Sequence, residues 1–146
     1  MTDHVKILFP LEQTDGYPPH DVESVWAVPL GGGKYRLDNI PFFVRGVSSE
    51  DVVSATERGG ALFYAGLSSE GGHSTVRVLI ADPDATERVR EELRARGCSS
   101  EGTGIPGLIA VDVPPAVSYR ELRQFLDEGE RRGRWEYEEG CIAHPA

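Results

Sequence analysis

Two side chains come first when the chain is read for chemistry, His73 and Arg77. Side chains alternate sides along a strand, so residues four apart face the same way. An imidazole and a guanidinium so placed can reach toward one volume, the first as a general base and the second as an anion ligand. The stretch Gly71-Gly72-His73-Ser74-Thr75-Val76-Arg77-Val78-Leu79-Ile80 alternates cleanly: Val76, Val78 and Ile80 fall on one side, His73, Thr75 and Arg77 on the other. The competing assignment, which we favour on the sequence, is structural. In it His73 caps the glycine turn, and Arg77 pairs with Glu136, Glu138 or Asp112 across a sheet, a routine way to complete a polar sheet face. If another part of the chain packs on that face, both residues become polar interface contacts.

The other candidates each have a plainer counterpart. Trp135 and Tyr137 can form a recognition platform, since aromatics with polar tips are favoured at binding hot spots. Placement in the core beneath a helix is the commoner use of such a pair, and the same holds for Trp26. The loop from Asp15 to His20, with Tyr17, and the segment from Asn39 to Phe43 are places where functional groups can sit on a scaffold. Tyr17, Pro18, Pro19 and His20 can equally seal one end of a barrel. Glu12, Asp15, Asp21 and Glu23 with His4 and His20 match no standard metal spacing, and neither metal nor cofactor is expected. Gly31-Gly32-Gly33 lacks the Lys-Ser/Thr ending and following helix of a phosphate loop, so it reads as a hairpin turn. Ser74, Ser99 and Ser118 lack the G-x-S-x-G context.

The elements that would position these residues fall into two groups. In residues 1–72, short strands are expected at Val5–Phe9, Glu23–Val28, Lys34–Asp38, Asp51–Thr56 and Ala61–Ala65, punctuated by Asp-Gly, Pro-Pro and Gly-Gly turns. Strands at that spacing indicate a small barrel, specifically an SH3-like β barrel. Residues 73–146 alternate strands with helices. Asp84 with Glu87, and Ser118 with Glu121, have the spacing of N-terminal capping pairs. Ala85, Val89 and Leu93 make one apolar stripe, and Leu122, Phe125 and Leu126 another. Gly97 and Gly133 are placed to end these helices. With strands at 73–80, 98–102, 108–113 and 134–138, the order is βαββαβ, a ferredoxin-like unit in an α+β protein. Its last strand should neighbour its first, and Cys98 and Cys141 should lie on opposite sheet edges.

The chain has 146 residues and a formal net charge of −9. Acidity is spread over both groups: five basic against ten acidic residues in 1–72, and ten against fourteen in 73–146. No basic stripe offers the counterion release that drives most nucleic-acid affinity, so nucleic acid is not an expected partner. The start Met1-Thr2-Asp3-His4 lacks the pattern of a signal peptide, and no run approaches the roughly 20 apolar residues that span a bilayer. The two cysteines form no zinc or redox motif. These features lead to the expectation of a cytoplasmic protein with free thiols that does not engage a membrane.

Several segments together resemble an uncharacterised bacterial family, domain of unknown function 4265. They are Phe9-Pro10-Leu11-Glu12, Asp15 to Pro19, Glu23-Ser24-Val25-Trp26, Tyr35 to Phe43, Gly72 to Arg77, and Gly133 to Cys141. The resemblance covers nearly the whole chain. It implies kinship and carries no catalytic or ligand residue onto these positions.

Two functions follow as expectations. The leading one is a non-enzymatic cytoplasmic accessory protein that binds a protein or peptide partner, of immunity or regulatory type, through acidic surface and the polar sheet face. The second is a small-molecule binder or enzyme in which His73 and Arg77 grip a small anionic ligand between the two subdomains. Candidate contact residues are His73, Arg77, Glu136, Tyr17 and Asn39.

Overall fold

A computed structural model describes residues 3–145. The first five strands are β1 (Val5–Pro10), β2 (Val22–Gly31), β3 (Lys34–Leu37), β4 (Val52–Arg58) and β5 (Ala61–Ser69). Neighbours in sequence pair antiparallel, and β5 returns to lie parallel to β1, with Ile7 beside Leu62. The sheet thereby closes into a barrel. Closure removes the free edges that a short open sheet would expose. Register shifts between Val52 and Val53 and between Ser54 and Ala55 add the curvature. Gly31, Gly32 and Gly33 all have positive φ, as a tight turn between β2 and β3 demands.

Ile7, Phe9, Val25, Ala27, Leu37, Val47 and Val53 fill the barrel. Inward positions on β2 go to Glu23, Val25 and Ala27, so strand alternation sends Trp26 outward. This corrects the expectation of a core Trp26: the residue is 45% exposed, with the Lys6 ammonium 5.0 Å from its ring.

The second sheet contains β6 (Ser74–Ile80), β7 (Ser99–Gly102), β8 (Leu108–Val113) and β9 (Trp135–Cys141), ordered β7-β8-β6-β9 with every pairing antiparallel. Helices α1 (Thr86–Ala95) and α2 (Tyr119–Arg131) are the crossovers. Both pack on one face, where Val89 and Leu93 from α1 and Leu122 and Leu126 from α2 meet Val76, Val78, Ile80 and Trp135. Each such aliphatic side chain contributes about 1.5–3 kcal/mol on burial. Gly129 lets α2 approach closely, because a Cβ there would lie 2.0 Å from the Trp135 ring. The Trp135 indole N–H donates to the Leu126 carbonyl at 3.0 Å.

Ser118 caps α2 as the spacing indicates, accepting from the Glu121 N–H at 3.2 Å. The start of α1 differs from the expected Asp84 cap. Asp82 accepts from the Asp84 N–H at 3.1 Å and opens a short 3-10 turn, Pro83–Ala85, ahead of the helix. Pro83 explains the shift, since its fixed φ suits the first position of a turn. Cys98 and Cys141 are free thiols toward opposite sheet edges, and burial pushes the Cys98 thiol up to about 11. Among the described residues no helix is long and apolar enough to cross a membrane.

Candidate functional site

The sheet face opposite the helices is covered over Thr75 and Arg77 and left open at Leu79. The segment between β3 and β4 lies across it and brings the barrel down onto β6 and β9. Gly46 N–H donates to the Gly140 carbonyl at 3.0 Å, the Ser48 and Thr75 hydroxyls meet at 2.6 Å, and Gly71 N–H donates to Asp51 at 2.8 Å. Asp51 also accepts from Ser48 N–H at 2.9 Å, and burial raises its pKa. Thr75, Arg77, Ser48 and Asp51 are all buried in this layer. Two apolar cores are thus joined through a polar seam, in which each group needs a hydrogen-bond partner.

His73 and Arg77 share the face, as the alternation requires, but they serve separate pairs. His73 Nδ1 lies 2.9 and 3.0 Å from the two Asp112 carboxylate oxygens. Burial raises the pKa of Asp112, and its hydrogen bond with His73 opposes that rise. Four residues on, Arg77 Nε donates to Glu138 Oε1 at 2.8 Å, and Arg45 Nη2 donates to Glu138 Oε2 at 2.9 Å. Glu138 is the residue directly opposite Arg77 in the β6–β9 register. Burial works to raise its carboxyl pKa, yet the two guanidinium partners hold it below the ordinary range.

The Arg77 side chain is only 1% exposed, and its Nη1 and Nη2 have no hydrogen-bond acceptor among the described residues. Gly140 makes room for this guanidinium: a Cβ there would lie 2.6 to 2.8 Å from its end atoms. Beside it is a cleft of about 440 Å³ between barrel and sheet, walled by Leu11, Glu12, Tyr17, Phe43, Arg45 and Glu138. A second groove of about 370 Å³ continues past Tyr17 over Leu79, Ile105 and Leu108, with Glu136 on its rim.

The cleft wall is built from a distance. The Glu23 carboxylate accepts from the backbone N–H groups of Phe42, Phe43 and Val44, at 2.5, 2.9 and 2.9 Å. That holds the Phe43 ring where Tyr17 meets it edge-on, with centroids 5.8 Å apart. Glu23, weighed in the sequence with metal ligands, is thus occupied in shaping the wall. Tyr17 is 46% exposed on the loop joining β1 to β2, and burial of its inner edge, then the Glu138 charge, raises its pKa. Asn39 is not among the cleft-lining residues, and its Oδ1 accepts from the Trp26 N–H at 2.8 Å. Glu136 sits opposite Leu79 in the register, and among the described residues it makes no ion pair.

A serine–histidine contact also forms that sequence spacing did not reveal. Ser74 Oγ lies 2.6 Å from His144 Nδ1, and His144 Nε2 lies 2.8 Å from the Pro114 carbonyl. A carbonyl accepts only, so in the neutral ring Nε2–H donates to it, and Nδ1 accepts from Ser74. Ser74 is fully buried and accepts from Ala143 N–H at 2.9 Å. The pair therefore pins the C-terminal segment to β6.

Barrel, sheet and seam define an α+β protein with a polar cleft at the junction of its two sheets. The family model described as "Domain of unknown function (DUF4265)" matches residues 23–137, and the chain belongs to that family. No curated protein matches it. Among solved structures it is similar in fold to one titled "Novel crystal structure of a hypothetical protein from Neisseria gonorrhoeae". That likeness has a TM-score of 0.74 and 16% sequence identity, and covers 97% of this chain and 96% of the other.

Proposed function

We propose that the protein binds a small carboxylate-bearing ligand in the cleft beside Arg77. The observation that carries this reading is the pair of buried Arg77 Nη donors without an acceptor. A buried donor left unpaired costs about 1–3 kcal/mol, and more when charged. The two oxygens of a carboxylate match the guanidinium fork. Glu138 occupies Nε, which leaves the Nη edge for a ligand. These atoms are enclosed against Gly140 beside the cleft, so a ligand reaches them only when the cleft lining gives way. His73 is held by Asp112 and stands outside this site in our reading, which narrows the His73/Arg77 expectation to Arg77.

A protein or peptide partner, of regulatory or immunity type, is the second reading. It is favoured by the outward row of β2, where Trp26 and Val22 are 45% and 42% exposed. Both readings take the protein as a cytoplasmic accessory factor. They also take residues 1–72 as an SH3-like subdomain and 73–146 as a ferredoxin-like one; the closed five-stranded sheet and the β7-β8-β6-β9 order support that description.

Native mass spectrometry of the protein purified gently from its own host separates the two. The carboxylate reading expects a small-mass adduct that Arg77→Met abolishes. A stoichiometric protein companion that Trp26→Ser releases would establish the partner reading in its place. Bare protein in every sample, together with a structure showing only ordered water on the Nη atoms, would overturn the carboxylate reading.

A further inference from the structure

We infer that the uncovered end of the second sheet is a docking groove for a lysine-bearing segment of a basic partner protein, with the lysine stem over Leu79 and its ammonium on Glu136. The inference is independent of the carboxylate reading, because it uses no nitrogen of Arg77. It also stands apart from the outward row of β2.

The floor of the groove follows from the sheet register. Leu79 lies opposite Leu108 on β8 and opposite Glu136 on β9, so the three form one row across the sheet. Strand alternation turns this row to the side that carries Thr75 and Arg77, away from the helices. Thr75 and Arg77 are buried, whereas Leu79 is 44% exposed, since the barrel reaches the first two and stops short of the third. Ile105, ahead of β8, and Tyr17, between β1 and β2, complete a groove of about 370 Å³. A larger groove of about 800 Å³ shares Leu79 and Glu136 with it and runs past Pro83 and Pro106 to Glu130. Together they form one trough with an apolar floor and acidic walls.

Charge decides the occupant. Glu138 is already held by Arg77 and Arg45. Glu136 and Glu130 are exposed, and among the described residues neither makes an ion pair. Arg77 is the one basic residue lining either groove; its Nε is bonded to Glu138, and its other nitrogens are enclosed against Gly140. The net charge of −9 adds a field that draws in a cation and repels an acidic segment. Residues directly opposite on antiparallel strands have Cβ atoms about 5 Å apart, so Leu79 and Glu136 present an aliphatic surface beside a free carboxylate. A lysine side chain has the same two parts in the same order, an apolar four-carbon stem and a charged head. A wholly apolar occupant would shield the Glu136 carboxylate from water without a counter-charge, and an acidic one would set like charges together.

Titration of the isotope-labelled full chain with acetyl-Lys-Leu-Lys-Leu-Lys-amide, followed through backbone amide chemical shifts, tests this. The same peptide with glutamine at each lysine is the control. The lysine peptide should move the Leu79, Ile105 and Glu136 amides to saturation, and the glutamine peptide should bind about tenfold more weakly. Glu136→Gln should weaken the lysine peptide about threefold, the size of one exposed ion pair. Leu79→Ser should weaken it about tenfold through lost apolar contact. Both positions are exposed, so folding is not at stake. Shifts centred on Trp26 and Val22 would overturn the groove and move the partner to the outward row of β2. Equal affinity for the two peptides, full affinity in both variants, or no shift up to about 5 mM peptide would overturn the inference outright. The carboxylate reading is untouched by each of these results, since Arg77→Met tests it separately.

Discussion

His73, just ahead of β6, and Arg77 within it stand four residues apart on one face, and the two ends of that face have been completed differently. At the His73 end the polar side chains of the seam pair with one another, His73 with Asp112, Thr75 with Ser48, and Asp51 with the N–H groups of Ser48 and Gly71, and Arg36 Nε nearby lacks a hydrogen-bond acceptor, 3.3 Å from Glu50. At the Arg77 end a guanidinium is buried with one nitrogen bonded and two left over. Both pairs span antiparallel strands, so strand geometry does not distinguish them. The difference lies in what the barrel lays on top. Segment 46–51 covers the first end tightly, whereas at the second the wall stands back to leave a cleft. A buried polar group that is not satisfied is the stronger pointer to a ligand, because a folded chain tends to leave few of them.

The sharpest way to break the comparison is steric. A Cβ at Gly71 would meet the Glu50 backbone carbonyl at 2.5 Å, and a backbone cannot retreat cheaply. Gly71→Ala should lower stability by about 2–3 kcal/mol. Gly140→Ala also crowds its neighbour, but that neighbour is the far end of a side chain, which can shift beside the cleft more easily than a backbone can. About 1 kcal/mol is expected there. Urea unfolding of both variants measures the difference, and an equal loss would mean that the Arg77 end is as tightly packed as the other.

Next comes removal of the nitrogen partner at each end. His73→Ala strips Asp112 of its partner in a buried setting and should cost about 1–3 kcal/mol. Arg77→Met replaces a partly satisfied buried charge with an apolar chain of similar reach. Glu138 keeps Arg45 and is 38% exposed, so no buried lone charge is left. The variant should be equally stable or more stable by about 1 kcal/mol. A large loss for Arg77→Met, read from the same unfolding midpoints, would show that Arg77 is there for stability.

The smallest effect is on acid sensitivity, and it should run in opposite directions at the two ends. Glu138 titrates below its ordinary value of 4.5 when folded, so its contribution is present above that value and lost as pH falls through the folded pKa. Asp112 is raised above its ordinary value of 3.8, so it penalises the fold at neutral pH, and the penalty lifts as pH falls through the raised value. Glu138→Gln should therefore flatten the decline of stability between about pH 6 and pH 3, and Asp112→Asn should steepen it. Parallel curves for the two variants would remove the electrostatic contrast.

Much of this arrangement was legible in residue patterns. Period-two alternation placed Val76, Val78 and Ile80 under the helices and His73, Thr75 and Arg77 on the other side. Glu138 was among three partners named for Arg77, and Ser118 was recognised as a cap. Other features required contacts between residues far apart in the chain. The same alternation that sorted β6 gave no sign of which row of β2 faced inward until the barrel closed, and so Trp26 was misassigned. Glu23 reaching Phe42–Val44, Ser74 reaching His144, and Gly140 making space for Arg77 span about 20, 70 and 63 positions, and no local spacing rule reports them.

The sequence by itself determined the local backbone: where strands alternate, where glycine and proline force turns, which helix faces are apolar. These follow from steric and hydrophobic preferences acting over a few residues. Only the tertiary structure decided that the polar face of β6 would be a covered seam, and that a cleft would stand at one end of it beside a guanidinium with two of its nitrogens unpaired. Burial and hydrogen-bond satisfaction depend on what the distant barrel segment places above each side chain, and that is settled when the two sheets dock.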